Sequence, residues 1–412
     1  MSAISHLQAD HAGSPAWRKT LTILFIGQLV TSMGFASFFP FLPLYIQQLG
    51  SSSGLSLEFL AGMAYSAQAM TMAIASPIWG AVADRYGRKL MLERAMFGGV
   101  VILALMAFVQ NAEQLVILRA IQGLITGTVA AANAMAASVV PRARMGFAMG
   151  MLQTGLGVGV AVGPMLGGAI ADAFGYSAAF YVTAALLLLA GALIWWGIDE
   201  HFQPPEQEHR IHNSLWSQWR RVLSTPGILD VYNLRFTTQM ARNLILPIAP
   251  LFIALLMGDS AHLNTFTGLV IGAASATTTL SAVYLGRLSD RIGYRPVLIV
   301  SAAAAAAIYA LHFPTTAAWQ LLALQAMAGI AMGGILPAIG ALLAQYSSAN
   351  DSGAVYGLDN SIEAAARSIA PLLGAAVGAW LGLRAAFLVS ALLFLALCML
   401  SAARLPGNRR HP

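Results

Sequence analysis

The sequence predicts an all-α membrane protein in which twelve transmembrane helices form two pseudo-symmetric six-helix bundles. Three observations predict it. Only 9% of the 412 residues are charged, 58% are hydrophobic and the mean hydropathy is +0.71. A soluble chain carries about a quarter of its residues as charges, so the solvent here is a bilayer. Twelve apolar runs of membrane length follow one another along the chain. Landmarks also recur at half the chain length: Gly80, Asp84, Arg85 and Gly87 in GAVADRYGRK return 206 positions later as Gly286, Asp290, Arg291 and Gly293 in GRLSDRIGYR. Arg119 and Gly123 fall on Gln325 and Gly329 at the same step, while Pro40, Pro43 and Pro164 fall on Pro247, Pro250 and Pro371 at 207. A unit laid down twice in an apolar chain is how two-lobed transporters are built.

The runs centre near residues 33, 70, 100, 126, 159, 187, 242, 276, 305, 331, 367 and 394 and are numbered spans 1 to 12. Residues 1–198 make the first bundle, 199–227 a polar linker and 228–412 the second bundle. In the linker, SLWSQWRRVL reads either as a short interfacial helix carrying Trp216, Trp219 and Arg220 or as an ordinary tether. Cys398 is the single cysteine and excludes an intrachain disulfide. Residues 1–16 are polar and no small-residue cleavage site follows the first run, so span 1 itself is expected to act as the signal.

The net charge of +6 does not point to nucleic acid, because the bases sit in short clusters between apolar runs. With the N-terminus inside, the cytoplasmic segments hold sixteen bases, among them Arg18, Lys19, Arg88, Lys89, Arg142, Arg210, Arg295, Arg409 and Arg410, against Arg384 alone outside. Both termini are therefore expected in the cytoplasm. No phosphate loop of the form GxxxxGK[ST], no HExxH and no CxxC is present, so neither ATP-driven transport nor enzyme chemistry is expected.

GAVADRYGRKLML resembles the loop 2–3 motif of the major facilitator superfamily. LRAIQGLITG resembles its span 4 motif around a buried arginine, and GLGVGVAVGPMLGG its span 5 antiporter motif. PFLPLYIQQLG resembles the span 1 motif of the drug-export branch, and the likeness to twelve-helix drug:proton antiporters runs the length of the chain. The resemblance implies two bundles around a central cavity in the cytoplasmic membrane. It also implies export of small molecules driven by the proton gradient, with a sugar or metabolite exporter, a lipid flippase or a non-transporting membrane sensor on the same scaffold as alternatives. No bound cofactor or metal is expected, the expected partners are substrate, protons and lipid, and a monomer suffices because both lobes lie in one chain.

In loop 2–3, Gly80 permits close helix contact and Gly87 a tight turn. Asp84 suits the positive end of a helix from the other lobe, which the resemblance implies is span 11 near Asp351–Gly353; symmetry gives Asp290 the start of span 5 near Met145. Arg85, Arg88 and Arg291 complete this candidate latch, although bases there also serve simply to set topology. Gly163, Pro164 and Gly167 in span 5 read as helix packing and, by resemblance, as the hinge of an exporter.

A charge at mid-membrane needs a partner, water or a function. Arg119 lies in span 4, and Arg235 and Arg242 share one face of span 7. Asp359, Glu363 and Arg367 form a stripe at steps of four on span 11. Glu363 and Arg367 read as a simple intrahelical pair; alternatively, Asp359 or Glu363 carries the coupling proton, with Arg119 and Arg367 tuning it. With four arginines against two acids, a cavity lined by all six would carry +2 and favour anionic or zwitterionic amphiphiles. Gln28, Gln68, Asn133, Gln153 and Gln239 are candidate cavity residues, with interhelical hydrogen bonding as the alternative for each.

Overall fold

The computed structural model describes residues 16–141, 144–200, 215–258, 260–345 and 352–405. Arg142, Arg210, Asp351, Arg409 and Arg410 lie outside the described residues, as do the side chains of Asp84 and Trp216. Eleven of the twelve expected centres fall within helical segments, and the one at 126 falls in the break between two shorter ones.

Span 1 runs Ala16–Phe38, tightens into a 3₁₀ turn at Phe39–Phe41 and resumes over Leu42–Leu49. Span 7 repeats this design, with Ile228–Leu244 followed by Ile248–Met257. The cause is the repeated proline pair: Pro40 and Pro43, like Pro247 and Pro250, offer no backbone N–H to a continuous helix. Spans 2, 3, 5 and 6 are Leu57–Tyr86, Arg88–Met106, Met145–Phe174 and Tyr176–Gly197. Spans 8 to 12 are Leu263–Ile292, Tyr294–Leu311, Ala318–Gln345, Ser352–Leu381 and Leu383–Arg404. Span 4 is broken between Ala112–Ile125 and Thr128–Val139, where Gly127 takes φ +139°. Its counterpart, span 10, is continuous.

The apolar signal is less even than twelve equal runs. Among the described residues, nine helical segments are long and apolar enough to cross a membrane on those criteria alone. Spans 2, 3 and 4 are the others, and each has a local reason. Span 3 opens on Arg88-Lys89 and carries Glu93 and Arg94, span 4 is interrupted, and span 2 is diluted by Glu58, Ser66, Gln68, Thr71, Asp84 and Arg85.

Three of the buried apolar clusters keep to one half of the chain. One draws only on residues between Val222 and Leu405, the others only on residues between Trp17 and Ile198. In the second lobe a ladder of stacked rings, Phe394–Tyr309–His312–Phe387, ties spans 9 and 12 together at centroid spacings of 5.0–5.1 Å for its outer pairs and 5.3 Å for Tyr309–His312. The linker contains a helix at Leu215–Leu223. Its Val222 is buried in the second-lobe core, with Trp219 packed alongside, so this helix docks on protein and is more than a tether.

The lobes meet across spans 5 and 8 and across spans 2 and 11, and the span 5–span 8 contact runs from the end of the molecule remote from the termini to about the middle of the two helices. Along this contact a Cβ added at Gly168 would overlap the Asn264 carbonyl, and one at Gly268 the Pro164 carbonyl. A Cβ at Gly62 would come within 2.8 Å of the Pro371 carbonyl oxygen. Phe41 and Leu44 from span 1 bury against Leu251 from span 7 and plug this end. Near mid-helix a Cβ added at Gly157 would just touch Thr279, at 3.6 Å, and further towards the termini face the seam opens, with Gly146 and Gly150 facing open space.

Small residues give spans 1 and 5 the same intimacy inside the first lobe, since a Cβ on Gly163 or Gly167 would strike the backbone of Met33, Ala36 or Ser37. Gly167→Leu is therefore expected to lower the thermal stability of purified protein by at least the roughly 1–3 kcal/mol of a core overpacking. Gly146→Leu, at an open site on the same helix, should leave the melting temperature within a degree or two of the parent or raise it slightly, since glycine is a poor helix former.

Candidate functional site

The charged stripe of span 11 meets the charged face of span 7. Arg235 Nε donates to both carboxylate oxygens of Asp359, at 3.0 and 3.2 Å, and Nη2 donates to Oδ2 at 2.8 Å. The same Nη2 lies 3.8 Å from Glu363 Oε2, while Arg367 Nη2 lies 3.1 Å from Glu363 Oε1. The four groups thus form one chain of alternating charge, and Glu363 is shared between two arginines. Forked, charge-assisted contacts of this type are the strong ones. At a rise of about 1.5 Å per residue, Asp359 and Arg235 sit about 11 Å from the middle of their spans towards the termini face, whereas Arg242 and Arg367 sit at the middle.

Arg242 differs from its neighbours. It feels the charges of Glu363, Arg367 and Arg235, yet among the described residues no carboxylate lies within ion-pairing distance of it. Its side chain is exposed although the residue is deep in the fold, because it borders the cleft between the lobes. Asp359, by contrast, is 4% exposed.

The first lobe treats its deep arginine differently. Arg119 is 1% exposed and bonds only to neutral groups. Nε donates to the Ala64 carbonyl at 3.2 Å, Nη2 to Gln68 Oε1 at 2.9 Å and Nη1 to Gln122 Oε1. The rings of Phe38 and Phe39 flank the guanidinium at 5.8 and 5.4 Å. Arg119 therefore braces spans 1, 2 and 4 and does not face the cleft, so the expected cleft set loses one arginine. Gln68 is its partner. Gln28 is 4% exposed and bonds within span 1 to Ser32, and Gln239 is 3% exposed, so neither lines the cleft as expected. Gln153 is exposed and Asn133 half-buried.

The loop motif folds identically in both halves. Gly87 and Gly293 take φ +102° and +96° and close spans 2 and 8. Lys89 donates to the Trp195 carbonyl at the end of span 6, and Arg295, 206 positions later, donates to the Ala402 carbonyl at the end of span 12. The altered second copy, Tyr294-Arg295-Pro296, thus retains this brace. Arg88 donates to the Ala134 carbonyl, and its N–H and that of Lys89 are capped by Glu200. Arg85 and Arg291 are exposed, and Gly80 faces open space.

Among the described residues, Asp290 does not make its expected contact with the start of span 5. Asp290 accepts from Tyr294 of its own lobe, and span 5 begins without a side-chain cap, because the lobes are parted at this face. The partner contact expected of Asp84 lies outside the described side chains. Gly163, Pro164 and Gly167 sit inside an unbroken helix against span 1. Sequence reasoning missed Arg94, which lies 3.4 Å over the Trp79 ring, and Asp172, which reaches across the lobes to the start of span 8.

A duplicated membrane bundle, closed at one end, parted at the other and carrying paired charges within its spans, defines a two-lobed solute transporter. The family model of the Major Facilitator Superfamily matches residues 24–260 and 231–412, and the chain belongs to that superfamily. Relatives include the multidrug resistance protein MdtG of Salmonella arizonae, 35% identical over 379 residues that cover 91% of this chain and 92% of that one. The MdtG of Enterobacter lignolyticus is 35% identical over 92% of this chain and 90% of its own. Among solved structures, the nucleoside transporter NupG superposes with a TM-score of 0.77 at 12% identity, covering 94% of this chain and 100% of that one. A bacterial homologue of the human lysosomal transporter Spinster, in an inward-facing and occupied conformation, gives 0.76 at 14% identity, covering 95% and 98%. These structural likenesses establish the fold.

The ion-paired chain predicts non-additive stability. Asp359→Leu strands a mostly buried arginine, and Arg235→Leu strands the acid. Each is expected to cost up to about 3–5 kcal/mol, reduced by access of water from the cleft. The double replacement should recover most of that loss in thermal melts of purified protein. A double variant as unstable as the sum of the singles would contradict the pairing.

Proposed function

We propose that the protein exports small amphiphilic compounds across the cytoplasmic membrane in exchange for inward-moving protons, and that it favours anionic or zwitterionic substrates. The observation that carries this reading is Arg242: a cation at mid-membrane, open to the cleft and without a carboxylate of its own, beside an arginine–carboxylate chain that is already paired. A substrate acid offers Arg242 the partner it lacks. The names of the relatives, multidrug resistance proteins, support export of drugs.

The distribution of bases assigns the termini face to the cytoplasm. The open end then admits substrate from inside, while the plug of Phe41, Leu44 and Leu251 bars the outside. Asp359 and Glu363 are the proton carriers in this reading. In this reading a change in lobe position breaks their contacts with Arg235 and Arg367 and frees each carboxylate to exchange a proton. Coupling to an anion works through lobe position and not through direct displacement. A proton on either acid makes the cleft more positive and strengthens anion binding, so competition between like charges is unavailable. Alternating access separates the two binding events in time.

In energised everted vesicles, adding substrate should dissipate the pH gradient, and Asp359→Asn or Glu363→Gln should abolish that response; an undiminished response in both variants removes the proton assignment. Arg242→Ala should lower export of an anionic amphiphile by roughly tenfold or more, the scale of one lost charge-assisted bond, with little change for a neutral one. Strong transport of ethidium-like cations with none of anionic dyes would overturn the substrate preference.

A further inference from the structure

Asp172 sits in the last turn of span 5, at the end where the lobes are closed, and all four of its described hydrogen bonds cross to the other lobe. Its Oδ1 accepts from the Asn264 N–H at 3.1 Å and from Asn264 Nδ2 at 2.9 Å. Its Oδ2 accepts from the Thr265 N–H at 2.7 Å and from the Thr265 hydroxyl at 2.6 Å. Asn264 and Thr265 form the first turn of span 8, whose backbone N–H groups have no intrahelical acceptor and carry the positive end of the helix dipole.

The two inter-lobe seams are not equivalent here. Span 2, the counterpart of span 8, caps its own start: Ser56 accepts from the Phe59 N–H at 3.3 Å. Span 8 has His262 at that position and gains no side-chain cap from it. The position matching Asp172 on span 11, at the 207-residue step that relates Pro164 to Pro371, is Ala379. The span 2–span 11 seam is thus closed by Gly62 packing on Pro371, Leu372 and Ala375, without such a carboxylate. One seam is apolar and the other is closed by a carboxylate that serves as the missing helix cap of the opposite lobe. When this end opens, the acid and the first turn of span 8 both lose their partners, and only water replaces them.

We infer that Asp172 is the gating residue of the closed end: its bonds to Asn264 and Thr265 set the population of the state described here against the state open at the opposite face. It touches neither Arg242 nor the arginine–carboxylate chain, so it acts on lobe position alone. The inference rests on the alternating access of the superfamily and not on the proton or substrate assignments.

The test uses full-length protein in nanodiscs, where both faces meet solvent, with Cys398→Ser as background and no substrate or gradient. Leu251→Cys reports on the plug, and Gly150→Cys, on the seam face of span 5, on the open half. The rate of modification by a polar maleimide is read for each. Asp172→Asn should raise the rate at Leu251→Cys by at least about tenfold, the scale of even one lost charge-assisted bond, and lower it at Gly150→Cys. Thr265→Val, which removes one donor, should shift both reporters in the same directions by less. Unchanged labelling at Leu251→Cys in Asp172→Asn and Asp172→Ala overturns the assignment. A rise at both reporters together also overturns it, because it marks a loosened fold and not a shifted gate. Failure of the vesicle experiments with Asp359 and Glu363 leaves this readout untouched.

Discussion

How closely two helix backbones approach is decided by what replaces a side chain between them, and span 5 shows both answers on one rod. In its far half, Gly163 and Gly167 admit span 1 and Gly168 admits span 8, to distances at which no Cβ would fit. In its near half, Gly146 and Gly150 meet nothing. Apolar side chains gain little by leaving lipid for protein, so van der Waals contact of this kind carries the association. The shape of the molecule, closed at one end and parted at the other, follows from where those contacts are made. The glycines of the near half lack such contacts here and are free to make them in the opposite state.

The charges follow a second division. Each lobe holds buried arginine, but the first lobe satisfies Arg119 with carbonyl and amide oxygens and with aromatic faces, whereas the second gives Arg235 and Arg367 carboxylates. The two halves share one repeat, yet among the described residues only the second pairs its deep arginines with carboxylates. Gln325 at the position matching Arg119 marks the same divergence from the other side.

Much of this was legible in the sequence, because duplication, apolar length and proline are local signals. The loop motif, the repeated proline pairs of spans 1 and 7, the shared face of Arg235 and Arg242 and the charged stripe of span 11 were all marked by spacing, whereas the pairing of Arg235 with Asp359 was not. What was not legible depended on contacts distant in the chain. Asp172 lies 92 residues from Asn264, and in sequence it reads as an ordinary acid near a helix end. Gln28 and Gln239 look like cavity residues until helix rotation buries them. The interruption of span 4 needs Gly127 at a conformation that LRAIQGLITG permits but does not demand. The expected approach of Asp290 to span 5 concerns a different arrangement of the lobes, which a single sequence does not specify.

The breaks at Phe39–Phe41 and at Ile245–Pro247 separate short terminal pieces from the long rods of spans 1 and 7, and it is these pieces that carry Leu44 and Leu251. A rod transmits force along its hydrogen-bonded ladder, and at each break that ladder tightens and lacks the bonds that proline cannot donate. The stopper of the closed end is therefore mounted on flaps and not on the pillars. A flap on such a joint moves at a smaller cost than a whole bundle, so release of a bound molecule can begin before the lobes finish turning.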